Sequence, residues 1–219
     1  MGRDLLSRLI VGARLSIFVG LSATAVNVVV AVLIGGISGF LGGKLDLGVQ
    51  RFVDAWMAFP GLLILLTIMS IVGPGIPQII VVLGIAGGIG GSRVVRGAVI
   101  GIKENDYFLA ARAIGSPTNA TLMRHVLPNI MPVMIIIFSI TVGGVIMAEA
   151  SLSFLGFGLP ASNPDWGGLL SREGRQYMEM APWLALWPGL CLTITVYCFN
   201  MFGDAMRDLL DPRLRGGEG

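Results

Sequence analysis

The chain has 219 residues, 54% hydrophobic and only 13% charged, with a formal net charge of +2. Soluble domains carry about 25% charged residues, so this composition excludes a water-solvated globule, and the missing polar surface must face lipid. So small a charge, carried by basic residues lying between apolar runs, also excludes nucleic-acid binding. Cys191 and Cys198, the only cysteines, stand at i, i+7 in one apolar run and are too far apart on a helix to bridge.

Residues 1–14 are amphipathic and charged, with no recognisable signal peptide. Leu5, Leu6, Leu9 and Ile10 form one face of an expected interfacial helix outside the membrane. A spanning helix needs about 20 largely apolar residues, and five stretches approach that length: 15–41, 55–72, 76–99, 130–155 and 183–202. The third is short and rich in glycine unless it extends through Arg93 and Arg96. The expected fold is therefore all-α, a polytopic helical membrane protein of one domain over residues 1–219, embedded in the lipid bilayer. Small-xxx-small pairs recur as Gly35/Gly39, Gly39/Gly43, Gly84/Gly88, Gly87/Gly91 and Gly97/Gly101. Such pairs let membrane helices approach closely.

Basic residues near the spans set orientation. Lys44 and Arg51 follow the first span; Arg93, Arg96, Lys103, Arg112 and Arg124 lie between the third and fourth; Arg207, Arg213 and Arg215 lie in the tail, 203–219. These fall on one side, expected to be cytoplasmic, with the C-terminus. The opposite loop carries only Arg172 and Arg175 against Asp165, Glu173 and Glu179. Arg3, Arg8 and Arg14 then lie outside, against the rule, which a further upstream span would resolve.

Residues 103–128 carry the strongest local signals. Asn105 or Asp106 can cap a helix over Tyr107–Ile114; Gly115 sits where a left-handed residue ends it; Ser116-Pro117 restarts a second. Pro128 is expected to end that second helix before the fourth span. Small Ala110, Ala111 and Gly115 allow close approach by a partner, although the same hairpin could fold on its own bundle.

Ala110-Ala111, three residues, Gly115, eleven residues and then Leu127-Pro128 resemble the EAA loop of bacterial ABC importer permeases. Gly2-Arg3-Asp4 through Leu9, Arg124 through Asn129, Ala148-Glu149-Ala150-Ser151-Leu152-Ser153-Phe154-Leu155-Gly156 and Asp211-Pro212-Arg213-Leu214-Arg215 are similar to permeases of the dipeptide, oligopeptide and nickel branch. In two departures, Leu109 replaces the Glu of the motif and His125 its Ile. The resemblance implies a type I ABC-importer transmembrane architecture in the bacterial inner membrane, with one more span ahead of residue 2. It implies that Tyr107, Ala110, Ala111, Arg112, Gly115, Leu127 and Pro128 form the contact with an ATPase. It also implies the partners: two cytoplasmic ATP-binding cassette subunits, a second homologous permease and an external solute-binding protein. The chain would bind no cofactor, since ATP is hydrolysed by the partner subunits.

Glu149 is ionisable inside the fourth span, roughly 9 Å from its outer end, and is a candidate for the substrate pathway by default. The plainer alternative is a carboxylate bonded to Ser151, Ser153 or a neighbouring helix. Asn200, Asp204 and Asp54 read as interhelical partners. His125, the lone histidine, cannot build a multi-histidine metal site. Trp56, Trp166, Trp183 and Trp187 fall near expected interfaces, and Trp166 could meet a delivering protein. Phosphate-loop, zincin and nucleophile-elbow motifs are missing, and Gly156 to Ala161 match a dinucleotide fingerprint only formally, so the chain is not expected to be an enzyme. The competing function is an autonomous secondary transporter or channel using Glu149.

Overall fold

Asp4 starts the first helix, its carboxylate accepting the backbone N–H groups of Leu6 (3.2 Å) and Ser7 (3.0 Å) that a helix N-terminus leaves free. The computed structural model describes residues 4–113, 115–160 and 162–210. Residues 2 and 3 of the first motif, Ile114, Ala161 and the Asp211–Arg215 motif lie outside them.

Helix α1 runs over Leu5–Leu41, 37 residues, widening into one π turn at Val32–Gly36. The expected interfacial helix and first span are thus one rod about 55 Å long, because no proline interrupts the run. Gly42 and Gly43, at φ 69° and 62°, reverse the chain into α2, Gly43–Met57. Pro60 then breaks the helix, and α3, Gly61–Val72, leaves at 89° to α2. The expected span over 55–72 is therefore split. Residues 55–57 close α2, and the 12 residues of α3 reach about 18 Å, too short to cross alone. Gly73 (φ 86°) turns into α4, Ile76–Lys103, which does run through Arg93 and Arg96.

Helix α5 occupies Asp106–Ala113, and a turn at Thr118–Thr121 leads into α6, Leu122–Phe154. Pro128 does not end a helix there. A π turn at Leu122–Val126 precedes it, and Pro128 falls in the first turn of the regular α-helix that starts at Leu127, where proline is tolerated, while the Asn129 side chain donates to the His125 carbonyl (2.6 Å). Helix α7, Trp166–Leu169, continues as a π turn over Leu170–Gly174, and α8 covers Trp183–Leu210. Four of these helices are long and apolar enough to cross a membrane, and there are five spans only if the bent α2–α3 pair counts as one. Among the described residues there is no strand.

The α1–α4 pair is the most extensive helix contact. Gly35 and Gly39 lie against the backbone at Ser92 and Arg96, and Gly84 and Gly88 against α1 at Ala23, Val26, Asn27 and Val30. Gly97 and Gly101 face open space, so only some of the small-residue pairs are packing sites within this chain. Charges then fasten the flanks. Arg96 grips Asp46 of α2 through two bonds (Nε to Oδ1, 2.6 Å; Nη2 to Oδ2, 2.5 Å), and Arg93 pairs with Asp54. Lys103 Nζ donates to the carbonyls of Gly39 (3.1 Å) and Phe40 (2.9 Å) at the C-terminus of α1. At the opposite end Arg8 pairs with Glu173, and the buried Trp166 indole N–H donates to Leu9 O (3.2 Å). Trp166 is 3% exposed, so it is a packing residue and not a surface for a delivering protein.

Two outcomes follow from this packing. Gly35→Ala, whose methyl would overlap the Ser92 carbonyl, lowers stability by about 1–3 kcal/mol, whereas Gly97→Ala changes it by less than about 0.5 kcal/mol. Thermal unfolding of the two variants in lipid nanodiscs separates them. The Arg96 hydrogen bonds hold the Asp46 carboxyl below its ordinary value of 3.8, so its stabilisation is present at neutral pH and lost as pH falls below that value. Protease cleavage within α2 therefore increases on acidification, and Asp46→Asn shows the increase already at pH 7.

Candidate functional site

Phe108 fixes the position of α5. Its ring is 2% exposed, packs edge-on to Phe40 at 6.3 Å, and belongs to a cluster with Ala31, Val95, Val99, Ile102, Val126 and Ile130 from α1, α4 and α6. The opposite face of α5 is open: Asp106 is exposed, Tyr107 is 42% exposed, Ala110 is exposed, and Glu104 and Asn105 ahead of the helix are exposed as well. Ala111 and Arg112 lie on the same short helix.

Gly115 has φ 75°, and a side chain built on it would meet no atom within 4 Å. Its backbone conformation, not crowding, selects glycine there. Thr121 holds the turn that follows, its hydroxyl lying 3.1 Å from Pro117 O and 3.2 Å from Ser116 Oγ. Tyr107 and His125 bring their rings to 6.4 Å, so α5 and the π turn of α6 meet. Leu127 is half-buried and Pro128 exposed on the next turn. One end of the molecule thus gathers Tyr107, Ala110, Gly115, Leu127 and Pro128 around an anchored helix with one free face. Such an arrangement offers a projecting knob to a partner surface.

Glu149 is not brought to this end. It lies 22 residues along α6 from Leu127, about 33 Å away, and is 0% exposed. Its Oε1 accepts from Ser153 Oγ (3.1 Å), while Ser151 donates instead to Met147 O (2.8 Å). Two important residues escape a reading of the sequence. Phe108 carries no signal beyond being apolar. Asp165 caps α7 (Gly168 N–H to Oδ2, 2.8 Å) and turns its carboxyl toward Glu149; only the cap signal before Trp166 points to it. Among the described residues no group of three or more His, Cys, Asp or Glu side chains could hold a metal, and both cysteines are free thiols.

Residues 31–216 match the family described as binding-protein-dependent transport system inner membrane component. The oligopeptide transport system permease protein OppC of Bacillus subtilis (strain 168) is 39% identical over 215 residues, covering 98% of this chain and 70% of that protein. OppC of Haemophilus influenzae is 36% identical over 214 residues, covering 98% and 68%. The backbone is similar to a chain of the inward-facing MetNI methionine ABC transporter, with a TM-score of 0.77, 19% identity, and coverage of 96% of this chain and 100% of that one. These relatives are components of transport systems, which disfavours an autonomous carrier or channel built on Glu149. The chain belongs to the family of binding-protein-dependent transport system inner membrane components, the multi-pass permease subunits of ABC importers, and is not itself an enzyme.

Proposed function

We propose that this permease forms half of a translocation pathway for peptides, paired with a second homologous permease and driven by two ATP-binding cassette subunits. The substrate class rests on the oligopeptide permeases it resembles at 36–39% identity. ATP is bound and hydrolysed by the partner subunits, and this chain binds no cofactor. An external solute-binding protein delivers the peptide at the end that carries α7. The α5 end and the C-terminus face the cytoplasm, in keeping with the basic residues Lys44, Arg51, Arg93, Arg96 and Lys103 gathered there.

The single observation that carries the coupling role is the two-sidedness of α5, anchored through Phe108 and open along Tyr107 and Ala110. A helix held in this way transmits a push from the ATPase to α1, α4 and α6 together, since all three contribute to the Phe108 cluster. ATP-driven closure of the two ATPases then shifts the spans between inward- and outward-facing states through its differential contacts.

Ala110→Trp adds bulk on the free face without touching the anchor. It is expected to cut ATPase co-purification and ATP-driven peptide uptake by about 10-fold or more, a loss of about 1.4 kcal/mol, with an unchanged unfolding midpoint. Phe108→Ala removes the anchor and costs about 3–5 kcal/mol of stability, so both coupling and fold suffer. Gly115→Cys, made in a background with Cys191 and Cys198 replaced, reports sidedness. Labelling by a membrane-impermeant maleimide applied outside intact cells would reverse the assignment of α5 to the cytoplasm.

A further inference from the structure

The buried carboxyl pair at the α7 end is not used by the coupling surface. Glu149 and Asp165 are both 0% exposed, and so is Ser16 of α1, which faces the same carboxyl. Three oxygen atoms of this group, Glu149 Oε2, Asp165 Oδ1 and Ser16 Oγ, have no hydrogen-bond partner. Unpaired buried acceptors are rare because each carries its full desolvation cost, and two ionised carboxylates facing one another in a dry interior are costlier still.

No cation among the described residues offsets them. On α1, Arg8 is committed to Glu173 and Arg14 is exposed; after α7, Arg172 donates to Leu159 O (2.8 Å), Glu173 is taken by Arg8, and Arg175 is exposed. Helix α3, the first half of α4 (76–91) and α8 as far as Gly203 carry no Asp, Glu, Lys, Arg or His, and α6 carries no such residue other than Glu149 after His125.

We propose that Glu149 and Asp165 form a proton-binding site, in which Glu149 is the neutral acid and its proton bridges Oε2 to Asp165 Oδ1, docking α7 onto α6. One proton gives both orphaned carboxyl atoms a partner. The roles of the two acids are set by their surroundings. Asp165 is the acceptor of the bridge because its Oδ2 already takes the Gly168 N–H at the start of α7, while the hydroxyls of Ser153 and Ser16 are the other polar neighbours of Glu149. The bridge lies where α7 packs tightly on α6, with Gly167 against the backbone of Ala150. Releasing the proton places two like charges in contact and loosens α7. The stabilising effect of the bridge is therefore present while the proton is bound and lost when it leaves.

Infrared difference spectroscopy and thermal unfolding of the full chain in lipid nanodiscs test the site. The wild type is expected to show a protonated-carboxyl C=O band at neutral pH that disappears on alkaline titration and is missing in Glu149→Gln. Its unfolding midpoint falls by about 4 °C or more between pH 6 and pH 9, while Glu149→Gln, whose amide N–H replaces the acid proton, stays flat. Should that variant not fold, titration of the wild-type band decides alone, and Asp165→Asn must shift it. A wild-type spectrum with no such band at neutral pH overturns the proposal. So does a midpoint raised by calcium or sodium ions and lowered by a chelator, since a metal cation would then neutralise the pair.

Discussion

Close contact between α1 and α4 is the constraint on which the remaining structure depends. In lipid, two apolar helices gain nothing by exchanging lipid contacts for each other's leucines, so association rests on tight packing and interhelical polar contacts. Gly35 and Gly39 on one helix, and Gly84 and Gly88 on the other, remove the side chains that would keep the two rods apart. That approach brings Arg96 within reach of Asp46 and Lys103 within reach of the last carbonyls of α1. It also forms the seat of Val95, Val99 and Ile102 on which Phe108 rests. The position of α5 is therefore a consequence of glycines that make no contact with it.

Helix α6 joins the two ends of the molecule. Near its start, Val126 and Ile130 share the Phe108 cluster; near its end, Ala150 receives Gly167 of α7 and Glu149 faces Asp165, which caps that helix. A continuous helix between these points transmits displacement with little loss, because its backbone bonds are internal and its length is fixed. The π turn at Leu122–Val126 and the two prolines, Pro128 and Pro132, fall in the first third of that rod, beside the proposed coupling surface. Compliance is thus placed where a partner would push, and the part that meets α7 is regular helix.

The elements most legible in the sequence were those set by local chemistry. Gly115 does adopt positive φ at the end of α5, and α4, α6 and α8 arise from the apolar runs that announce them. Hydropathy missed the break at Pro60, since residues on both sides are apolar and a window average is blind to an 89° bend between them. A proline rule alone misjudges Pro128, because a π turn at Leu122–Val126 runs straight into a new α-helical segment in whose first turn proline is tolerated. The site was legible in part. The turn at Gly115 follows from short-range rules, but the role of Phe108 depends on residues from three other elements. Asp165 reaches Glu149 only because the intervening loop folds back over the end of α6.

Helix α8 shows what one chain leaves unsatisfied. Only 11% of its most apolar window is buried, against 39–44% for the other long helices. Thr193, Tyr197, Asn200 and Asp204 recur at helical spacing along one side, within about 60° of each other. Tyr197 is 63% exposed, Asn200 and Asp204 are exposed too, and the Asn200 carboxamide lies against Gly143 of α6. A row of polar groups on a spanning helix is stable only against protein or water, never against acyl chains. The side of α8 that packs on its own bundle is already taken by Pro188, Leu192 and Gly203. The polar row must therefore be covered from outside the chain, and it is this face that a second permease subunit and a hydrated pathway between the two would occupy in the proposed assembly.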